Sequence, residues 1–123
     1  MTPELKSFIA ATFPSVWTLE VLMHLRARRE TAFDREALVS DLRASGLVID
    51  QSLNRLAAAG LVLVDETGRA QFAPADARLD ALSGEAEQFY AKSPDAVRRL
   101  IVAAANPGVA AFADAFKLKG DQG

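Results

Sequence analysis

The chain has 123 residues, half of them hydrophobic, which suits one domain with a single packed core and argues against a two-domain enzyme. Cysteine is absent and histidine occurs once, as His24, which excludes disulfides, thiolate catalysis, iron–sulfur clusters, cysteine zinc sites and histidine metal clusters. Fourteen basic against sixteen acidic residues leave a net charge of −2 and a pI near 5.4, so any DNA contact must be local rather than driven by a bulk positive field.

Charged residues at 24% and a mean hydropathy of +0.10 give a globular balance. The amino terminus has no basic leader followed by an apolar run. No stretch approaches the ~20 apolar residues of a membrane span, and the expected location is cytoplasmic, with no membrane partner.

Leu5, Phe8, Ile9 and Thr12 recur at helical spacing behind Pro3, which predicts a short amphipathic helix over 3–13. After Pro14-Ser15, residues Val16, Leu19, Leu22, Met23 and Arg26 share a face that Trp17, Val21 and His24 widen. This predicts a helix over 16–29, buried on more than one side. Asp34 is expected to cap the next helix, with Phe33 stapled onto Leu38 and an inner stripe of Leu38, Val39 and Leu42. Ser45-Gly46 is expected to end it through a left-handed glycine. A third helix follows from about Ile49 to Ala59, with Ile49, Leu53, Leu56 and Ala57 inward and Gly60 at its end. Two short helices joined by a glycine turn form a helix-turn-helix candidate.

Past Gly60 the pattern becomes extended. Leu61-Val62-Leu63-Val64, the turn Asp65-Glu66-Thr67-Gly68, and Arg69-Ala70-Gln71-Phe72-Ala73 before Pro74 read as a small hairpin. Either Leu61 with Leu63 or Val62 with Val64 should face the core. A helix over 76–92 carries Leu79, Leu82, Ala86, Phe89 and Tyr90, with Gly84 inside it costing about 1 kcal/mol relative to alanine. Ser93-Pro94 should cap and start another, with Val97, Leu100, Ile101 and Ala104 on its apolar face. Asn106-Pro107-Gly108 ends that helix, and Val109, Phe112, Ala113 and Phe116 suggest a last short one.

The order helix, helix, glycine turn, helix, hairpin is the winged-helix order. The segment Ile49-Asp50-Gln51-Ser52-Leu53-Asn54-Arg55-Leu56-Ala57-Ala58-Ala59-Gly60-Leu61-Val62 resembles the recognition helix and first wing strand of MarR-like transcriptional regulators, in which a Leu-x-x-Leu helix runs into Gly-Leu-Val in the same way. The resemblance covers residues 16–74. It implies an α+β, mostly helical fold, with a winged helix-turn-helix core, a small β-hairpin wing and flanking helices over 3–13 and 76–117, all in one domain of residues 1–123. It also implies a DNA-binding transcriptional regulator whose terminal helices build a homodimer, although three short carboxyl-terminal helices depart from the long paired helices of that family. Leu5, Phe8, Ile9, Leu79, Leu82, Phe89, Leu100, Ile101, Phe112 and Phe116 supply more apolar surface than the winged core alone can cover, which fits self-association.

With Leu53, Leu56 and Ala57 inward, the third helix turns Asp50, Gln51, Asn54, Arg55 and Ala58 outward. Arginine pairs with guanine, and asparagine or glutamine with adenine, so Gln51, Asn54 and Arg55 are the candidate base readers. Arg35, Arg43 and Arg69 are the candidate phosphate or minor-groove contacts. Asp50 and the Asp65-Glu66 wing tip oppose them, since counterion release needs net positive contacts. Those carboxylates and the acidic pI favour a second reading, a winged helix that serves as a protein-interaction module without DNA. Arg26, Arg28 and Arg29 suit the helix dipole at a carboxyl end, and Arg98-Arg99 could pair with the acidic helix over 76–87. His24 reads as a partly buried helix residue. Aromatics at Trp17, Phe89, Tyr90 or Phe112 could line a ligand pocket, yet at this spacing they more often form core. No phosphate loop or nucleophile elbow is present, and neither catalytic residues, a metal nor a cofactor are expected.

Overall fold

A short polar side chain starts five of the six helices found among the described residues, 1–106 of the computed structural model. Thr2 caps α1 (Pro3–Thr12), Ser15 caps α2 (Val16–Ala27), Asp34 caps α3 (Arg35–Leu42), Ser45 caps α4 (Gly46–Ala58) and Asp76 caps α5 (Ala77–Lys92). Each accepts a hydrogen bond from a backbone N–H three residues on, which satisfies a donor the helix leaves open. The sixth helix, α6 (Pro94–Ala105), follows Ser93 without the expected hydroxyl cap, because Ser93 also closes α5, where its N–H donates to the Phe89 carbonyl. Strands β1 (Val62–Val64) and β2 (Ala70–Phe72) complete an α+β, mostly helical chain. The expected helix around Val109, Phe112, Ala113 and Phe116 lies outside the described residues.

Three boundaries differ from expectation. Helix α2 stops at Ala27, two residues early, in a turn closed by the Arg28 N–H on the Leu25 carbonyl. Helix α3 is ended by Arg43 in the left-handed region at φ 53°, not by Gly46. Gly46 is instead the first residue of α4, which begins three residues earlier than its apolar spacing indicated because Ser45 supplies the cap.

The exit from α4 matches expectation. Gly60, at φ 77°, donates to the Ala57 carbonyl, and Leu61 donates to that of Leu56, a pair of bonds that closes the helix end. The chain then enters the hairpin, in the antiparallel register Val62–Phe72, Leu63–Gln71 and Val64–Ala70. Ala70 also exchanges two backbone hydrogen bonds, each 2.8 Å, with Phe33 between α2 and α3. Neither expected alternation holds in β1: Leu61 and Val62 are both buried, whereas Leu63 and Val64 are both exposed. Leu61 still belongs to the exit turn of α4, and beyond Val62 the strand outruns the core.

One apolar cluster contains Leu53, Leu56 and Leu61, with half-buried Leu42 packed against it. Leu19, Leu22 and Leu25 of α2, Leu38 of α3 and Ile49 of α4 complete its centre. Below them the Thr18 and Ser52 hydroxyls meet at 3.3 Å and join α2 to α4. Leu5, Phe8, Ile9, Leu82, Ala86, Val97 and Ile101 bring α1, α5 and α6 into the same cluster. Much of the apolar supply on which self-association was expected is therefore consumed within the subunit. Ala57 and Ala104, expected inward, are exposed. Arg26 pairs with Glu87, tying α2 to α5, and Arg29, just past the end of α2, pairs with Asp80 of α5 at 2.9 Å and lies over the Phe72 ring. Gly84 serves this contact, since a Cβ there would stand 2.8 Å from the Arg26 guanidinium. No single helix among the described residues is long and apolar enough to cross a membrane.

Candidate nucleic-acid interface

The three residues Arg43-Ala44-Ser45 turn the chain from α3 into α4, with the Ala44 N–H on the Val39 carbonyl. A non-glycine residue in the left-handed region costs about 1 kcal/mol or more. Gly46 does not relieve that cost because it serves another need: the Arg35 guanidinium lies against it, in the space a Cβ would fill. From there Arg35 reaches Asp50 with two hydrogen bonds, Nε to Oδ1 at 2.7 Å and Nη2 to Oδ2 at 3.2 Å. That fork-on-carboxylate pairing fixes α3 against the first turns of α4. The Arg35 hydrogen bond is also the main reason that the Asp50 carboxyl titrates below its ordinary range.

Gln51, Asn54, Arg55 and Ala58 are all exposed on α4 at the spacing of one helix face. The structure thus brings the three expected base readers together. Arg55 is not swinging free: its Nη2 donates to the Ala11 carbonyl, in the last turn of α1, at 2.8 Å. Arg35 lies on the same side but is engaged by Asp50. Arg43 sits at the α3–α4 turn and Arg69 directly after the hairpin turn, both exposed and, among the described residues, without an ion-pair partner.

Between α4 and the hairpin turn runs a groove of about 770 Å³, bordered by Asp34, Arg35, Glu36, Asp50, Asn54 and Thr67. Three carboxylates, Asp34, Glu36 and Asp50, and one guanidinium, Arg35, line it. Asp65, whose charge argued against wing contact, accepts three bonds through Oδ1: from the Thr67 N–H at 2.9 Å, the Thr67 hydroxyl at 2.7 Å and the Arg69 N–H at 3.0 Å. These bonds, led by the Thr67 hydroxyl, hold its carboxyl below the usual range and give it a structural task in the turn. No family model, curated protein or solved structure matches the chain.

Several features of the site are invisible to periodicity. Leu47, at 66% exposure, and Val64, at 45% and lining the groove, put apolar surface beside the polar face of α4. The Arg35–Asp50 and Arg55–Ala11 contacts join residues 15 and 44 positions apart, and nothing in local spacing announces them. The Asp65-x-Thr67 spacing, by contrast, carries the signal of an Asx turn. Away from this face, His24 is half-buried, bonded to Asp41 at 3.1 Å and packed on Phe33. A cleft of about 330 Å³ lies between Trp17, Glu20, Leu42, Tyr90 and Arg98, where the Tyr90 hydroxyl donates to Glu20 and accepts from Arg98. Trp17 and Tyr90 thus line a cleft where plain core was the favoured expectation, while Phe89 packs against the core and Phe112 lies outside the described residues. Among the described residues no group of three or more histidine, aspartate or glutamate side chains could hold a metal ion.

Proposed function

We propose that residues 16–74 form a winged helix-turn-helix similar to those of MarR-like regulators, and that the protein is a DNA-binding transcriptional regulator reading the major groove with α4. The observation that carries this reading is the exposed row of Gln51, Asn54 and Arg55 on one face of a helix rigidly backed by α2 and α3. The two-way hydrogen bonding of Phe33 with Ala70 supports this reading, because a one-residue β-bridge ties the segment between α2 and α3 to the hairpin. The Arg35–Asp50 pair weakens the strongest objection: Asp50 meets the backbone phosphates as half of a neutral pair rather than as a bare carboxylate.

A homodimer belongs to the same proposal, since helix-turn-helix proteins commonly bind two half-sites as two-fold dimers. Exposed Val102 and half-buried Leu100 are what α6 offers a second copy. Sedimentation equilibrium at micromolar concentration should give a dimer, and a monomer would remove the half-site argument. A second reading, a protein-interaction module, is favoured by the acidic groove and by exposed Leu47, Leu63 and Val64.

The test is selection from a random duplex pool, followed by titration of wild type, Asp50→Ser and Asp50→Ser with Arg35→Ala. Asp50→Ser removes a carboxylate and frees Arg35, so it should tighten binding at low salt and lose the gain as salt screens the field. Adding Arg35→Ala should cancel most of that gain. Enrichment of no sequence, with Asp50→Ser binding no better than wild type, would leave the interaction module standing.

A further inference from the structure

We propose that the carbonyl end of α1 positions Arg55 for base contact, so that Ala11 and Arg55 act as one reading unit; this deepens, and rests on, the DNA-binding reading of α4. Ala11 lies in the last turn of α1, where carbonyls have no intrahelical N–H and the helix dipole is negative. The Phe13 N–H takes the Ile9 carbonyl, and the Arg55 Nη2 takes that of Ala11 at 2.8 Å. A guanidinium is flat and carries five N–H donors, so anchoring one nitrogen sets the plane and leaves Nε and Nη1 to meet a base edge or phosphate. A side chain already held also loses less freedom on binding than one that waves in solvent.

The anchor is itself fixed. Leu5, Phe8, Ile9, Thr12 and Phe13 are buried, and Phe8 and Phe13 meet edge to face at 5.7 Å. Helix α1 packs along α5 and α6, and at its other end Glu4 accepts from Arg78 of α5 at 2.8 Å. A ten-residue helix, about 15 Å long, thus connects the α5–α6 layer to the reading face. Whatever displaces α1 against α5 and α6 re-aims Arg55.

Exposed Ala11 allows a direct test. A carboxylate at that position should capture the guanidinium and draw it off the DNA, whereas an uncharged amide of the same size should not. Wild type, Ala11→Glu, Ala11→Gln, Arg55→Lys, Arg55→Ala and the Ala11→Glu/Arg55→Ala double variant are compared by duplex-pool selection and titration at fixed salt, with thermal melts to verify folding. Arg55→Lys and Ala11→Glu should each weaken the selected duplex by roughly tenfold and flatten preference at the same single base pair. Ala11→Gln should keep that preference, and Ala11→Glu should flatten nothing further once Arg55 is gone. Preference that survives Ala11→Glu but not Arg55→Ala would show that Arg55 reads DNA without α1, overturning this inference alone. Full preference in Arg55→Lys would overturn it too, since a single ammonium cannot hold Ala11 and a base in one plane. Enrichment of no sequence by wild type would remove the DNA reading along with it.

Discussion

Gly60→Ala and Gly68→Ala form a matched pair of substitutions that tests how α4 hands over to the hairpin. Both glycines are left-handed, at φ 77° and φ 84°, so alanine at either position incurs about 1 to 2 kcal/mol of backbone strain. Each substitution also stiffens the unfolded chain, which returns roughly 0.4 to 1 kcal/mol. For Gly68, whose added Cβ would meet nothing within 4 Å, the net loss should be about 1 kcal/mol. At Gly60 the Cβ would stand 3.3 Å from the Ala75 Cβ and 3.5 Å from a Leu79 methyl, in the bend that carries both Schellman bonds. That crowding should raise the loss to about 2 kcal/mol. Urea unfolding followed by circular dichroism measures both, provided the slope m is unchanged. Equal losses, or a stabilised Gly60→Ala, would refute the close-packed left-handed exit.

Leu56→Ala empties a fully buried site at the centre of the cluster and should cost about 2 to 5 kcal/mol in the same assay; a change within error would place Leu56 outside the core. Ser52→Ala removes one partner of the buried Thr18 hydroxyl, which keeps a 3.4 Å contact to Ser15, so the expected loss is about 1 kcal/mol and a neutral result would deny the α2–α4 hydrogen bond a role. Burial first, and the Glu20 hydrogen bond second, raise the Tyr90 phenol above its ordinary value of 10.0. The folded state therefore holds this proton more tightly, and the associated stability is full below about pH 10 and is lost as pH rises through the raised folded value. Thermal melts across that range should show Tyr90→Phe closing on wild type with rising pH; parallel curves would contradict the assignment.

Much of this fold was readable because its punctuation is local. The cap Asp34, the terminator Gly60 and the Asp65–Gly68 turn act within four residues of chain, where spacing alone reveals them. Gly46 misled because two uses of glycine look alike in sequence. The one suggested by its neighbours was a left-handed stop, and the one found is room for an arginine from another helix. Leu63 and Val64 misled for a related reason: alternation presumes that a strand lies on a core along its whole length, whereas β1 leaves the core after Val62. The polar face of α4 was legible residue by residue, but its electrostatics were not. Spacing shows Asp50 as a carboxylate but not the Arg35 that pairs with it, and it gives no sign of the Ala11 carbonyl that holds Arg55.

The claim that α4 reads DNA is tested most directly by mapping backbone amide chemical shifts as the duplex enriched by selection is titrated into the isotopically labelled protein at low salt. The largest and earliest shifts should fall on Gln51, Asn54, Arg55 and Ala58, with smaller ones at Arg43 and Arg69 and little change around Val97 in α6. Shifts centred on the cleft between Trp17 and Tyr90, or no shifts at all at saturating duplex, would contradict it.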